Sequence, residues 1–377
     1  MSDRPRFLFV MPKGSGWGTA RGSRRFFHGG ERYRNLAEAA LSPHGTVEVL
    51  EWAEDDPIEA QAEALDSKLD GVDALVASPW LSIGEVAPFD EGRLARASRL
   101  KVIAGTFDYR LGWIDIDEAA CRGVTVVDSS RTMTWTVAEF GVAITLALLR
   151  DIPAAIDAVR TGGWPDSART GRPYVFRDLA DCRVGLAGYG SINRHYRRFV
   201  EPYGCAVSVF DPFVGEDVAV ADSFTRADSL VDLASESDIL VVAIPPTPTT
   251  LGVIDANVID ALAPGSLFIL LSRMAVVEQE ALWRRARADE LRVALDVYDP
   301  EPPPEDAWFR NSANVLPTPH IAGNVPFAHE RCLTEACADA VRVLAGEEPH
   351  HAATVRDKRL YDGTLVRATT ESDPGSQ

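Results

Sequence analysis

Residues 183–199 read RVGLAGYGSINRHYRRF, and this stretch decides the fold. A short apolar run ends at Gly188 and a helical pattern begins after Gly190, which is the strand, turn and helix order of a dinucleotide-binding unit. Gly188 permits the tight turn, Gly190 lets the backbone approach a pyrophosphate, and the helix N-terminus offers N–H groups to the phosphates. Asn193 stands where such motifs carry a third glycine, so the close packing of helix on strand is in doubt there.

A carboxylate at the end of the following strand adds to this signal. The run Val207–Phe210 leads to Asp211, about twenty residues after the turn, where a carboxylate can bind both ribose hydroxyls and would repel a 2′-phosphate. The sequence therefore predicts NAD rather than NADP as the cofactor. The alternative is a glycine turn in an unrelated α/β protein, with Asp211 as a helix cap. The residues expected here to contact the cofactor are Gly188, Tyr189, Gly190, Ser191, Ile192 and Asp211.

Short runs rich in Val, Ile, Leu and Ala alternate with amphipathic stretches along the whole chain. This pattern is typical of α/β proteins with parallel sheets that are buried on both faces. In the first part of the chain we expect strands at Arg6–Met11, Val47–Leu50, Ala74–Ala77, Lys101–Ala104 and Thr125–Val127. In the second part we expect strands at Arg183–Ala187, Val207–Phe210, Ile239–Ala243, Leu267–Leu271, Arg292–Leu295 and Val315–Pro317, a set that suits a doubly wound sheet.

Two helical stretches and the tail complete the outline. The stretch Thr134–Arg150 is apolar on nearly every face, which predicts a helix buried between domains or at a subunit contact. The stretch Pro326–Gly346 predicts a helix that stops at Gly346 and returns the chain to the first unit. The polar tail TTESDPGSQ, residues 369–377, is predicted to be disordered.

Size and composition exclude several classes of protein. A chain of 377 residues exceeds the size that one hydrophobic core usually serves, so we expect two domains. The N-terminus MSDRPRFLFV lacks the features of a secretory signal, and no apolar run approaches the roughly eighteen residues of a membrane span. Five scattered cysteines indicate neither a disulfide framework nor a paired zinc site, so we expect no metal and a cytoplasmic location. A net charge of −18 argues against a nucleic-acid partner.

Three further segments carry side chains suited to chemistry. They are FILLSRMAVVEQEAL around Arg273, VALDVYDPEPPP around Glu301 and VLPTPHIAGN around His320. Arginine offers a planar, permanently charged fork for a carboxylate and the carbonyl beside it, and histidine exchanges protons near neutral pH. Taken singly, Arg273 could form a surface ion pair, Glu301 could be a solvated loop charge, and His320 could be a histidine with ordinary hydrogen-bond partners. Together, at the ends of predicted strands, they indicate a catalytic site.

With the dinucleotide motif, these segments resemble the D-isomer-specific 2-hydroxyacid dehydrogenases from about Ala74 to Ala345. The resemblance implies that Arg273 orients and polarises the substrate and that His320 is the general acid and base. It also implies that Glu301 stabilises the protonated ring of His320. It implies a discontinuous flavodoxin-like substrate domain, residues 1–132 and 326–377, around an inserted Rossmann NAD-binding domain, residues 133–325. Further cofactor contacts implied are Pro245, Thr250, Ser272, Asp296 and Gly323, and the substrate contacts implied are Ser78, Trp80 and Thr106 with Arg273.

The activity implied is hydride transfer between NAD and C2 of a small 2-oxo or 2-hydroxy acid, in a homodimer. A different possibility is a non-catalytic NAD-sensing protein of the corepressor type, a branch that can keep the triad. Formate oxidation fits poorly, because Glu301 and Met133 stand where formate dehydrogenases carry glutamine and asparagine. Trp113 also departs from the family, which has asparagine there, so we expect an unusual substrate pocket.

A glycine-rich basic insertion, Met11–Arg34, follows the first strand and has no counterpart in the family pattern. Against one acid, Glu31, it carries the cations Lys13, Arg21, Arg24, Arg25, Arg32 and Arg34. One interpretation is a disordered or subunit-contacting loop. The other is that the loop closes over the substrate, with Arg24 and Arg25 binding a second anionic group of a doubly anionic acid.

Overall fold

A computed structural model describes residues 4–14, 16–20, 24–53, 56–79, 81, 83–107, 113–164 and 177–364. Over these residues the strands form a five-stranded sheet, a seven-stranded sheet and a two-stranded hairpin. By internal packing the chain divides into two units. Unit 1 contains Met1–Phe140, Tyr298–Glu305 and Thr318–Lys358, and unit 2 contains Gly141–Val297, Asp306–Pro317 and Arg359–Gln377. The domain ranges given above stay a prediction.

The five-stranded sheet of unit 1 is parallel throughout. Strands of this unit are β1 (Arg6–Pro12), β2 (Gly16–Ala20), β3 (Arg24–His28), β4 (Thr46–Trp52), β5 (Ala74–Ala77), β6 (Val102–Gly105) and β7 (Thr125–Asp128). The first helices of unit 1 are α1 (Glu31–Leu41), α2 (Ile58–Asp66), α3 (Ile83–Val86), α4 (Glu91–Arg96) and α5 (Ile116–Cys121). A 3-10 turn spans Ser129–Met133. The sheet order β4-β1-β5-β6-β7 is the predicted flavodoxin-like one, with its switch point between β1 and β5.

The seven-stranded sheet of unit 2 is also parallel. Helix α6 (Thr134–Leu149) leads into it, followed by α7 (Ile152–Arg160), β8 (Arg183–Ala187), α8 (Ser191–Val200), β9 (Ala206–Phe210), α9 (Glu216–Asp222), β10 (Thr225–Arg226) and α10 (Leu230–Ser235). The remaining elements are β11 (Ile239–Val242), α11 (Ala256–Ala261), β12 (Leu267–Leu270), α12 (Gln279–Arg287), β13 (Arg292–Leu295) and β14 (Val315–Pro317). The order β10-β9-β8-β11-β12-β13-β14 has the doubly wound arrangement, with the switch point between β8 and β11.

Helix α13 (Pro326–Ala345) supplies one wall of the unit 1 core, and the short α14 (Val355–Tyr361) follows it. Leu333 and Cys337 of α13 are fully buried in one cluster with Phe7 and Phe9 of β1. Burying a side chain of this size contributes about 1.5–3 kcal/mol, so the helix is firmly attached to the sheet. Gly346, at a φ of 79°, ends the helix, which confirms both the predicted stop and the return to the first unit.

Every strand predicted from the sequence is present, with ends that differ by two residues or fewer. The hairpin β2–β3 and the short strand β10 were not predicted. Both residues of β10 are exposed and polar, so no apolar run marks it. The insertion after β1 is therefore an antiparallel hairpin followed by α1, rather than an irregular loop. The predicted disorder of the tail concerns residues outside the described part of the chain.

Helix α6 keeps one exposed face in the single chain. Trp135 is 48% exposed, and Glu139 and Ala143, one and two turns further on, are also exposed. Its burial at a subunit contact stays a prediction. By length and composition alone the helical stretch Ser129–Leu149 could cross a membrane, so the expectation that no segment would reach that length is wrong. One such helix is weak support for a membrane span, since a core helix can have the same length and composition.

Candidate functional site

The two glycines of the turn after β8 differ in what surrounds them. Gly188 has a φ of 82°, and a β-carbon there would lie 3.0 Å from Cγ1 of Ile244. Gly188 is therefore required by both the backbone and the packing against the chain after β11. At Gly190 a β-carbon would meet no described heavy atom within 4 Å. This open space, at the N-terminus of α8, fits the pyrophosphate of a dinucleotide, as do the N–H groups of Ser191 and Ile192 at the helix start.

Asn193 replaces the third glycine without loss of packing. Its side chain is fully buried, and Nδ2 donates to the carbonyl oxygens of Gly188 at 2.6 Å and Ala187 at 3.3 Å. The amide thus ties the helix to the turn that it follows, which answers the doubt raised by the missing glycine. Buried hydrogen bonds of this kind contribute about 0.5–1.5 kcal/mol each.

Asp211 lies directly after β9 and its carboxylate is held by the backbone. Oδ2 accepts from the N–H of Tyr189 at 2.7 Å, and Oδ1 accepts from the N–H of Phe213 at 2.8 Å. Each carboxylate oxygen has a further lone pair, so both can still accept from ribose hydroxyls. The geometry fits the role predicted for Asp211.

Residues after β11, β12 and β13 also lie at the carboxyl edge of the unit 2 sheet. Oγ1 of Thr250 donates to the carbonyl of Pro245 at 2.5 Å, which closes the loop after β11. Oγ of Ser272 is buried and has no hydrogen-bond partner among the described residues, so a bound group could supply one. Arg273 donates from Nη1 to the carbonyl of Ser272 at 2.8 Å, and Asp296 is 1% exposed directly after β13.

Glu301 and His320 meet in unit 1. Nδ1 of His320 lies 2.5 Å from Oε1 of Glu301, and both side chains are largely buried. The hydroxyl of Tyr298 donates to the carbonyl of Thr318 at 2.9 Å, which joins the two chain segments that carry the pair. His320 has a φ of 55°, a costly conformation for a non-glycine residue and one often found at functional sites. With Nδ1 engaged by the carboxylate, Nε2 is the nitrogen that can exchange a proton with a substrate.

The predicted substrate contacts of unit 1 lie at the carboxyl ends of β5 and β6. Ser78 is buried, donates its N–H to Val10 at 2.8 Å, and has an Oγ without a hydrogen-bond partner among the described residues. Thr106 has its hydroxyl 3.1 Å from that of Ser129, which directly follows β7. Ser129, which sequence analysis did not single out, also donates to the carbonyl of Gly105 at 2.9 Å and so fixes the Thr106 hydroxyl in place. Trp80 lies outside the described residues.

Trp113 is packed into the protein rather than standing alone in a loop. Its ring meets that of Phe107 edge-on at 4.9 Å and lies 5.9 Å from that of Phe89. Its carbonyl accepts from the N–H of Phe89 at 2.9 Å. The departure from the family pattern therefore builds an aromatic wall beside the end of β6.

Gly323, predicted to contact the cofactor, lies close to two apolar side chains. A β-carbon at this position would lie 3.3 Å from Cγ2 of Val137 and 3.4 Å from Cε of Met133.

The basic insertion is partly neutralised. Arg32 is in a bidentate ion pair with Glu330 of α13, and Arg34 lies 2.6 Å from Glu51. These two arginines belong to α1, and each is paired with a carboxylate. Arg24 and Arg25 lie in β3, opposite Ala20 and Thr19, and their side chains are outside what the structure describes.

No group of three or more His, Cys, Asp or Glu side chains among the described residues is arranged to hold a metal ion.

The residues predicted for catalysis, for cofactor binding and for substrate binding fall in both units. Glu301, His320, Ser78, Thr106 and Gly323 belong to unit 1, whereas Arg273, Ser272, Asp296, Asp211, Pro245, Thr250 and the glycine turn belong to unit 2.

Comparison with known proteins gives a consistent result. Residues 142–322 match the family described as D-isomer specific 2-hydroxyacid dehydrogenase, NAD binding domain, which confirms the predicted NAD cofactor. D-3-phosphoglycerate dehydrogenase of Mycobacterium bovis is 31% identical over 268 residues, 71% of this chain and 49% of that protein, so the chain spans about half the length of this relative. (S)-Sulfolactate dehydrogenase of Chromohalobacter salexigens is 30% identical over 258 residues, 68% of this chain and 81% of that protein.

The fold is also found among solved structures. The crystal structure of a phosphoglycerate oxidoreductase from Rhizobium etli superposes with a TM-score of 0.72 at 24% identity, covering 93% of this chain and 98% of the other. At this identity the likeness concerns the fold alone, and it confirms the predicted α/β class.

Proposed function

Because this chain belongs to the D-isomer specific 2-hydroxyacid dehydrogenase family, we propose that it transfers a hydride between NAD and C2 of a small 2-oxo or 2-hydroxy acid. The observation that carries the proposal is the partly buried contact between Glu301 and His320, which leaves one histidine nitrogen for proton exchange. Bound NAD supplies the hydride acceptor or donor. The comparisons do not support the alternative of a non-catalytic NAD-sensing protein.

In this proposal each protein group has one task. In the direction of reduction, His320 gives a proton to the carbonyl oxygen of the acid as C2 receives the hydride, and in oxidation it takes that proton back. Glu301 holds the ring and stabilises its protonated form. The Arg273 guanidinium binds the substrate carboxylate and polarises the adjacent carbonyl. Ser78 and Thr106, at the ends of β5 and β6, are proposed to receive the same carboxylate.

A coupled binding and turnover screen tests the proposal. Binding of NADH and NADPH is measured by fluorescence titration, and oxidation of NADH is followed with a panel of 2-oxo acids. We expect NADH to bind and at least one acid to be reduced. NADH binding without turnover of any acid would contradict the enzymatic proposal, and absence of NADH binding would contradict the cofactor as well.

We further propose that the substrate is doubly anionic. The switch point of the unit 1 sheet lies between β1 and β5, and open α/β sheets bind ligands at the carboxyl ends of the strands beside such a point. The hairpin with Arg24 and Arg25 follows β1 directly. Two of the relatives are named for acids, phosphoglycerate and sulfolactate, that carry a second anionic group besides the carboxylate.

The test is to compare doubly and singly anionic 2-oxo acids with wild type and with Arg24→Ala/Arg25→Ala. We expect the variant to raise KM steeply for doubly anionic acids while NADH binding is retained. Arg4→Ala/Lys101→Ala removes the same charge from exposed positions of unit 1 and serves as the matched control. Better turnover of pyruvate than of any doubly anionic acid by wild type, with normal kinetics in the Arg24/Arg25 variant, would refute the idea.

A homodimer is the proposed assembly, and α7 offers an apolar surface for it. Ile152, Ile156 and Val159 are 43%, 43% and 53% exposed and lie on one face at helical spacing. Trp164, a few residues beyond the helix, is 89% exposed. Sedimentation equilibrium should give twice the monomer mass, and Ile156→Lys should shift the equilibrium towards monomer. A wild-type mass that stays monomeric at all concentrations would exclude the dimer.

We propose the cytoplasm as the compartment, because all five cysteines of the chain are free thiols. Cell fractionation with activity and antibody detection would test this assignment.

A further inference from the structure

Three charged side chains meet around Tyr189, the residue between the two glycines of the turn. The N–H of Tyr189 donates to Asp211 at 2.7 Å, and its hydroxyl donates to Oδ2 of Asp222 at 2.8 Å. The guanidinium carbon of Arg194 lies 4.5 Å from the centroid of the same ring, a cation–π distance. Nη1 of Arg194 lies 3.3 Å from that same Asp222 oxygen. We call Tyr189, Arg194, Asp211 and Asp222 the Tyr189 cluster.

The fold places this cluster beside the proposed NAD site. Tyr189 touches Asp211, the carboxylate proposed to bind the adenosine ribose, and Arg194 lies in the first turn of α8, whose N-terminus faces the proposed pyrophosphate position. Asp222 is the last residue of α9. Neither Arg194 nor Asp222 belongs to the motif from which the cofactor contacts were predicted.

The ring that links these charges is firmly held. Tyr189 is 2% exposed and packs against Phe224 at 4.6 Å between ring centroids. Burial, and next the hydrogen bond to Asp222, raise the pKa of the Tyr189 hydroxyl well above its ordinary value, so it stays a donor. Arg194, by contrast, is 42% exposed and is held by the ring face and by Asp222.

We propose that Asp222 is a second determinant of coenzyme choice, because it holds Arg194 against Tyr189 and away from the ribose 2′ position beside Asp211. A guanidinium is the side chain best suited to bind a phosphate, so a free Arg194 in this place would favour NADPH. Paired with Asp222, it cannot fill that role. The cluster then carries two carboxylates against one cation, and a 2′-phosphate meets net negative charge. This inference rests on the proposed use of NAD.

The test is a set of variants whose coenzyme affinities are measured without any substrate. Fluorescence titration gives Kd for NADH and NADPH with three variants. They are the single variant Asp211→Ser, the double variant Asp211→Ser/Asp222→Asn and the triple variant Asp211→Ser/Asp222→Asn/Arg194→Ala. The Asp222→Asn change keeps an acceptor for the Tyr189 hydroxyl and removes only the charge. We expect the double variant to bind NADPH about tenfold more tightly than Asp211→Ser, as one charge-assisted phosphate contact would give.

The gain for NADPH should disappear with Arg194→Ala and shrink at high salt, whereas Kd for NADH should stay the same. Asp211→Ser/Asp217→Asn removes an exposed carboxylate from the same helix, α9, and is the matched control that should show no gain. An unchanged NADPH affinity in the double variant, or a gain that survives Arg194→Ala, would overturn the inference. Failure of wild type to bind NADH would instead overturn the proposed function.

One further variant keeps the idea testable if Asp222→Asn does not fold. Asp211→Ser/Arg194→Ala leaves the Asp222 charge without its cation, so NADPH should bind severalfold more weakly than to Asp211→Ser, with NADH unaffected. Equal weakening for both coenzymes would mean that Arg194 only supports the turn, and the inference would then be wrong.

Discussion

Replacing Glu301 by Gln tests whether the carboxylate acts on His320 through its charge. The glutamine is the same size and its amide oxygen can accept a hydrogen bond from Nδ1 of His320, so the ring stays in place. The Glu301 side chain is only 14% exposed, so water screens its charge little in the wild-type protein. A hydrogen bond to a charged group contributes about 1.5–3 kcal/mol and a neutral one about 0.5–1.5 kcal/mol. The difference of about 1–2 kcal/mol corresponds to a loss of about 5- to 30-fold in kcat.

The assay is steady-state oxidation of NADH with the best acid from the screen, together with a separate NADH titration. We expect kcat to fall by the stated factor while Kd for NADH is unchanged. Glu305→Gln removes an exposed carboxylate from the same segment and should behave like wild type. Wild-type kcat in Glu301→Gln would show that the contact with His320 has no catalytic role. A loss as large as that of a His320 deletion would show that the carboxylate does more than stabilise a charge.

The remaining predictions concern the acid–base, the coenzyme and a buried carboxylate of the core. His320→Ala should lower kcat by about two to four orders of magnitude with NADH still bound, while His44→Ala, at an exposed turn, should not. Asp211→Ala should shift the ratio of kcat/KM for NADH and NADPH towards NADPH, and an unchanged ratio would mean that the carboxylate does not face the ribose. Burial opposes ionisation of Asp339, but hydrogen bonds from the His350 N–H, Arg342 and His351 outweigh it and lower the pKa of Asp339. Because the folded-state pKa is the lower one, this stabilisation is complete above the unfolded value of about 4 and is lost as pH falls through the folded value. Asp339→Asn should therefore cost about 1–3 kcal/mol of unfolding free energy at neutral pH and show a weaker loss of Tm between neutral pH and about pH 3, which thermal melts would measure.

The parallel strands could be predicted because each is a continuous apolar run that leaves a local mark. Ala74–Ala77 and Arg292–Leu295, buried at nearly every position, were found with their correct ends. The strand β10 leaves no such mark, since its two residues are exposed and it forms by pairing with β9. The hairpin β2–β3 was missed for a similar reason, because its glycines and arginines obscure the period of two.

The candidate site divides in the same way. Gly188, Asp211 and His320 could be proposed from the sequence because the roles predicted for them depend on backbone position after a strand and on residue type. Glu301, the partner of His320, was also predicted, but other contacts between side chains that are far apart in the sequence could not be. Arg32 is paired with Glu330, 298 positions away, and Asp222 reaches Tyr189 across 33 positions. Such contacts depend on how helices pack on the sheets, which no local pattern encodes.

The placement of these elements suggests where specificity is decided. In unit 2 the proposed cofactor contacts depend on backbone geometry that tolerates little change, since Gly188 has both a positive φ and a close neighbour. In unit 1 two segments at the carboxyl ends of the strands depart most from the family pattern, the hairpin after β1, beside the switch point, and the chain with Trp113 after β6. Exchanging those segments with the matching ones of a relative should therefore change the preferred acid and leave Kd for NADH unaltered. A changed Kd for NADH with an unchanged acid preference would show that these segments serve the coenzyme instead.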